Sequence, residues 1–188
     1  MRIFNQLIFL YQNEIEHRAL SLFKLALLYN INPKTIVEVG VWKGANAKLL
    51  RHLFPDAHLF LIDPWKPYSR KGSPPEGASQ HKTFEKAYQD TKELFKNDSK
   101  TTIIRQTSLQ ARTLLPNSLD IIFIDGDHQY SSVKSDIIAW RKKLRPGGIL
   151  SGHDYNPNRF PGVVKAVNQS FPGQFFVLGD AVWATIIS

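Results

Sequence analysis

Ile121-Ile-Phe-Ile-Asp-Gly-Asp-His-Gln-Tyr130 joins four apolar residues, suited to a fully buried strand, to two carboxylates, an imidazole and a phenol. In open α/β sheets the ligand crevice lies just beyond the carboxyl ends of the strands. Asp125, Asp127 and His128 therefore fall where a ligand would be met. A second apolar run, within Gly148-Ile-Leu-Ser-Gly-His-Asp-Tyr155, ends in the same way at His153 and Asp154. Two neighbouring strands would then aim acids and imidazoles at one place. Asp125 and Asp154 would repel each other there unless a cation or a cationic substrate lay between them.

Working outward, strand-like and helix-like segments alternate. Asn13 can cap a helix with Glu16 at the capping-box position, and Ile15, Ala19, Leu22, Phe23, Ala26 and Leu27 form one apolar stripe. Strands are expected at 35–39, 58–62, 101–105, 119–124, 149–152, 174–178 and 181–187. Helices are expected at 45–54, 82–95, 109–115, 131–144 and 163–170, with Pro146-Gly147-Gly148 stopping the fourth. The pattern predicts an α/β fold: a Rossmann-like, mostly parallel seven-stranded sheet, helices on both faces and an antiparallel element at its C-terminal end. Residues 1–188 read as a single domain, with 1–33 a helical extension covering the site or contacting a second copy. The Pro/Gly/Ser-rich loop 64–79 is long for a strand-to-helix connection and reads as a lid or a mobile surface loop. Trp65 and Tyr68 could cover a ligand there, and Arg70 and Lys71 could meet an anion.

Composition narrows the class of protein. A chain of 188 residues, 43% hydrophobic, can bury a sizeable core. It has no cysteine, so disulfides and thiolate metal ligands are excluded. A cytoplasmic protein is the simplest reading. The apolar opening from Ile3 to Tyr11 is interrupted by Asn5 and Gln6, which argues against a signal peptide or a membrane span. The net charge of +8 comes from 24 basic and 16 acidic residues. It allows a nucleic-acid partner, although no basic stripe interleaved with aromatics is visible, and it equally suits anionic small substrates.

The first strand-to-helix turn, Glu38-Val-Gly-Val-Trp-Lys-Gly-Ala45, separates two cofactors. A dinucleotide fingerprint needs a middle glycine where the backbone approaches a pyrophosphate, and here that slot is Trp42. What survives is Glu-x-Gly-x-x-x-Gly: Gly40 for a tight turn, Gly44 for close strand-to-helix contact, and Glu38 to face a cation such as an amino group. That favours S-adenosylmethionine over NAD, and Asp63, ending the second strand, stands where a carboxylate accepts hydrogen bonds from ribose hydroxyls.

Together with Asp136, Trp140, Leu144-x-Pro-Gly-Gly148 and Gly152-His-Asp154, these motifs resemble class I S-adenosylmethionine-dependent methyltransferases. The likeness covers about residues 34–188 and is closest to the branch similar to macrocin O-methyltransferase. It implies methyl transfer to a hydroxyl of a small molecule, with Thr107 and Ser108 framing the adenine and Asp125 also beside the cofactor. In metal-dependent relatives such as catechol O-methyltransferase, carboxylates after the fourth and fifth strands hold magnesium, and a base lies three residues past the first. Asp125, Asp154 and His128 match those positions, and oxygen-rich ligation suits Mg2+. Tyr155 departs from the pattern where asparagine often supplies a ligand, so Asp127, His153 or water would complete the sphere, or no metal binds. Plainer roles stay open: Asp127 as a helix cap, His128 as a structural residue, and His153 as a supporting hydrogen-bonder. The rival functions are an RNA-binding protein or RNA methyltransferase, and a catalytically silent cofactor-binding module.

Overall fold

The computed structural model describes residues 18–67 and 78–188, and for 78 and 79 the backbone alone. The elements run α1 (Arg18–Leu28), β1 (Thr35–Val39), α2 (Ala45–Leu53), β2 (His58–Ile62), α3 (Ala78–Phe95), β3 (Thr101–Ile104) and α4 (Ser108–Ala111, continued by a 3-10 turn). They continue through β4 (Leu119–Ile124), α5 (Tyr130–Arg141), β5 (Leu144–Gly152), α6 (Pro161–Ser170), β6 (Phe176–Leu178) and β7 (Val182–Ile186). The strands form one seven-stranded sheet in the order β3-β2-β1-β4-β5-β7-β6. The first five are parallel, and β7 runs antiparallel to β5 and to β6. The expected Rossmann-like architecture is the one observed. Strand order reverses between β1 and β4, which opens the crevice there. The cap proposed at Asn13 and Glu16, and Tyr68, Arg70 and Lys71, lie outside the described residues.

Alternation along the strands divides the core in two. Ile36, Leu59, Leu61, Ile121 and Phe123 bury against α1, α2 and α3. Val37, Val39, Ile62, Ile122 and Ile124 bury against α4, α5 and α6. Both faces are covered, which explains why β4 is apolar in nearly every position. Its one charged residue, Asp120, accepts hydrogen bonds from Lys34 N–H, Thr35 N–H and the Arg145 guanidinium, and so fastens β1 and β5 together at the far edge. Among the described residues no helix is long and apolar enough to cross a membrane.

Three expectations need correction. Leu27 does not belong to the buried stripe of α1: it is 48% exposed, and Leu25 is buried instead. The buried arc is centred between Leu22 and Ala26, and Leu27 lies roughly 100–140° round the helix from it. The fourth predicted helix ends at Arg141, and Leu144 already begins β5. Pro146-Gly147-Gly148 lies inside that strand, at the irregularity where its pairing with β4 shifts register. Trp65 is no lid residue. Its backbone turns left-handed (φ 43°), sending a 1%-exposed indole inward against Tyr88, where Nε1 donates to the Trp42 carbonyl at 2.7 Å.

Candidate active site

Glu38 is the inward-facing polar residue of β1, on the α1/α2 side of the sheet. It is 1% exposed, its Oε1 accepts from Asn46 Nδ2 at 3.2 Å, and its Oε2 has no hydrogen-bond partner among the described residues. Burial pushes its carboxyl up to about 8, with the Asn46 hydrogen bond opposing and the Asp125 charge reinforcing the rise. The folded chain thus holds a proton that the unfolded chain releases above the ordinary value of 4.5. Stability should fall as pH rises from about 4.5 to 8, and Glu38→Gln should flatten that slope in urea denaturation. A ligand that brings an ammonium to Oε2 should release a proton on binding in this range, which calorimetry in two buffers of different ionisation enthalpy detects.

The turn after β1 is fixed by backbone contacts. Gly40 adopts φ +89°, and a Cβ there would lie 2.1 Å from the Asp125 carbonyl oxygen. Asp63 reaches over from β2: Oδ2 accepts from the N–H groups of Val41 and Trp42 at 3.1 and 3.0 Å, and Oδ1 from Trp65 N–H at 2.6 Å. Burial raises its pKa while these bonds hold it down. Asp63 therefore braces the turn before it can serve any ribose. An amide has one acceptor oxygen and would set an NH2 against a backbone N–H, so Asp63→Asn should cost about 1–3 kcal/mol in thermal or urea unfolding. Gly44, at φ +76°, packs on Thr91 and Leu94 of α3 and starts α2.

A cavity of about 370 Å³ opens at the β1/β4 switch point, lined by Gly40, Pro64, Thr107, Ser108, Gly126, Asp127 and Asp136 among others. Gly126 faces open space: among the described residues, none beyond its chain neighbours comes within 4 Å of where a Cβ would stand. In its wall Trp140 Nε1 donates to Ser108 Oγ at 2.8 Å, and that hydroxyl donates to Asp136 at 2.5 Å. Burial pushes Asp136 up to about 6, against the Ser108 hydrogen bond. Asp127 accepts from Ser132 Oγ at 2.7 Å, so it fastens the first turn of α5 while lining the cavity.

Beyond Gly126 the acids and imidazoles meet, because β4 and β5 pair with Ile124 beside Gly152. His128 Nε2 lies 2.6 Å from Asp154 Oδ2, its ring against Phe160. His153 Nδ1 sits between Asp154 (3.2 Å) and Asp125 (3.5 Å), and its Nε2 faces Asp180 at 3.8 Å. Burial opposes the charge on His153, but its hydrogen bonds to the two carboxylates win and push it up to about 9. Asp154, in a left-handed backbone (φ 61°), is held well below the usual carboxylate range: hydrogen bonds from His128 and His153 outweigh its burial. Arg18 of α1 pairs with Asp125 Oδ2. Tyr155 points elsewhere, donating to Asn168 at 2.8 Å.

Sequence reading missed Arg18, Asn46 and Asp180. Arg18 lies four residues before Leu22 on the buried side of α1, and a cation ending an apolar stripe was the available signal. Asn46 stands three and four residues before the buried Leu49 and Leu50, so it too faces inward.

The profile of a family described as "Methyltransferase domain" matches residues 37–155. The chain belongs to this methyltransferase family. The class I resemblance read from its motifs thus holds. A curated relative, an uncharacterized protein (R132) of Acanthamoeba polyphaga mimivirus, is 28% identical over 146 residues, covering 77% of this chain. The chain spans 62% of that relative's length. Solved structures that share the fold include two methyltransferases. The O-methyltransferase TomG of Streptomyces achromogenes, in complex with S-adenosylmethionine, matches with a TM-score of 0.60 at 16% identity, over 89% of this chain and 78% of that one. The S-adenosylhomocysteine-bound methyltransferase PaMTH1 of Podospora anserina matches with a TM-score of 0.62 at 16% identity, over 94% and 81%.

The residues of this chain fit S-adenosylmethionine. Glu38 Oε2 can take an amino group, Gly126 leaves room against the cavity wall, and Thr107 and Ser108 line the cavity. Magnesium fits less well. Ligand atoms of Asp125, His128 and Asp154 lie within 4.8 Å of one another, yet each carboxylate is already matched to a cation or imidazole of the chain itself.

Proposed function

We propose that the chain transfers a methyl group from S-adenosylmethionine to a hydroxyl of a small molecule. The observation that carries this reading is the Asp154–His128 pair, 2.6 Å apart, with His128 directly following Asp127 of the cavity wall in sequence. When bound, the cofactor supplies an electrophilic methyl on a sulfonium, which asks of the protein mainly alignment and help with one proton. Glu38 would hold the amino group, Asp63 the ribose beside the turn it braces, and Thr107 and Ser108 the adenine. With Nε2 held by Asp154, His128 keeps Nδ1 for the hydroxyl proton, and Asp154 stabilises the resulting imidazolium. Gly162 supports this placement: a Cβ there would lie 2.7 Å from the His128 carbonyl, so α6 packs directly on that backbone.

The acceptor class follows the TomG likeness and the position of His128, and the net charge of +8 favours an anionic one. Magnesium takes no step in this reading. The cytoplasmic location and a homodimer belong to the same proposal. The test is incubation with S-adenosylmethionine and a panel of phenols, catechols and sugar hydroxyls, following S-adenosylhomocysteine. Turnover with one of them supports the reading. Cofactor binding with no turnover would instead indicate a silent module, and salt-sensitive RNA affinity without small-molecule turnover an RNA-directed protein.

A further inference from the structure

Two carboxylates at adjacent strand ends need a positive partner, and the structure supplies one from an unexpected place. Asp125 is 10% exposed, and its Oδ2 carries the Arg18 guanidinium, brought from 107 residues away in sequence. That guanidinium is held by its helix. Next to it Ala19, fully buried, donates its N–H to Asn46 Oδ1 at 3.1 Å, and the same Asn46 holds Glu38. One turn on, Leu22 is fully buried, and Ser21 Oγ donates to the Gly179 carbonyl between β6 and β7. Arg18 Nε is buried and has no hydrogen-bond partner among the described residues, so the guanidinium has donor capacity left beyond Asp125. On the other carboxylate His128 takes Oδ2, and His153 bridges both acids. A dication among Asp125, His128 and Asp154 would face the guanidinium across a single carboxylate, where like charges are costly.

We infer that Arg18 is a built-in replacement for a divalent metal: it neutralises Asp125, fixes the acid–imidazole cluster, and makes the site metal-independent. This rests on methyl transfer at that site, and the role of Arg18 is that of a positioning residue acting through Asp125. α1 thereby becomes part of the active site rather than a cover over it.

The test titrates Mn2+ into the protein by calorimetry, with no acceptor needed. Wild type and Arg18→Lys, which keeps the charge, should bind no Mn2+ at this site. Arg18→Ala should gain Mn2+ affinity by at least about tenfold. The gain should vanish in Arg18→Ala/Asp154→Asn, and circular dichroism checks the fold of each variant. Stoichiometric binding to wild type that Asp154→Asn abolishes would overturn the inference, as would a folded Arg18→Ala protein that gains nothing. If Arg18→Ala does not fold, the wild-type and Asp154→Asn titrations decide alone. Failure to find any methyl acceptor would count against the proposed function but leave this titration readable. Mn2+ binding to wild type would sink the arginine's role but leave methyl transfer intact.

Discussion

Gly40→Ala should destabilise the protein by about 3 kcal/mol or more and abolish S-adenosylhomocysteine binding, as urea unfolding and calorimetry would show. Two costs combine. Alanine at φ +89° is strained by roughly 1–3 kcal/mol, and forcing a methyl into a packed site adds about as much again. The methyl would stand 2.1 Å from the Asp125 oxygen and 2.7 Å from Gly126 Cα, both backbone atoms that no side-chain rotation can clear. Gly40 N–H is tied to Ile62, and Asp125 N–H to Val39, so yielding means separating β1 from β4 where Asp125 meets Arg18 and His153. Gly126→Ala is the control. Its methyl meets none of the described residues beyond its chain neighbours within 4 Å, so stability should change by no more than about 0.5 kcal/mol while ligand affinity falls, because that methyl would enter the cavity. Equal stability loss in both variants would remove the distinction between packing glycine and ligand-facing glycine.

His128→Ala should slow turnover by roughly 10²- to 10⁴-fold with cofactor affinity nearly unchanged, the signature of a lost proton acceptor. The ring lies against Phe160 and Asp154 and does not line the cavity, so its removal leaves the cofactor's wall in place. Asp154→Asn should cost less, since it withdraws the partner that orients Nε2 and keeps the ring itself. A fully active His128→Ala enzyme would reduce His128 to a packing residue and hand the proton to water or to the acceptor.

Most of the sheet was legible because its strands obey a simple period. Ile36 and Val37 bury on opposite faces, as do Ile121 and Ile122, and the acids fall at the ends of the apolar runs. Asp125, His128, His153 and Asp154 could be brought together from sequence because parallel neighbours end at the same edge of a sheet. The start of β5 could not, since Pro146 and two glycines read as a stop although a bulged strand accommodates them. Nor could the partners of Asp63, which are backbone amides and leave no mark on side-chain composition. Arg18 was hidden for a third reason. Its role depends on which way α1 lies across the sheet, and local periodicity says nothing about that.

The indoles give the molecule an optical consequence. It has 4 tryptophans, and the rings of Trp65 and Trp140 both spend their N–H on the turns that surround the cavity: on the Trp42 carbonyl, and on the Ser108 hydroxyl beside Asp136. Anything that seats itself against Ser108 must perturb the Trp140 N–H contact, and with it the energy and yield of the emitted light. The native protein thus carries its own dye: a titration followed by intrinsic fluorescence, with Trp140→Phe as the darkened reference, would register occupancy of the pocket before any product has been identified.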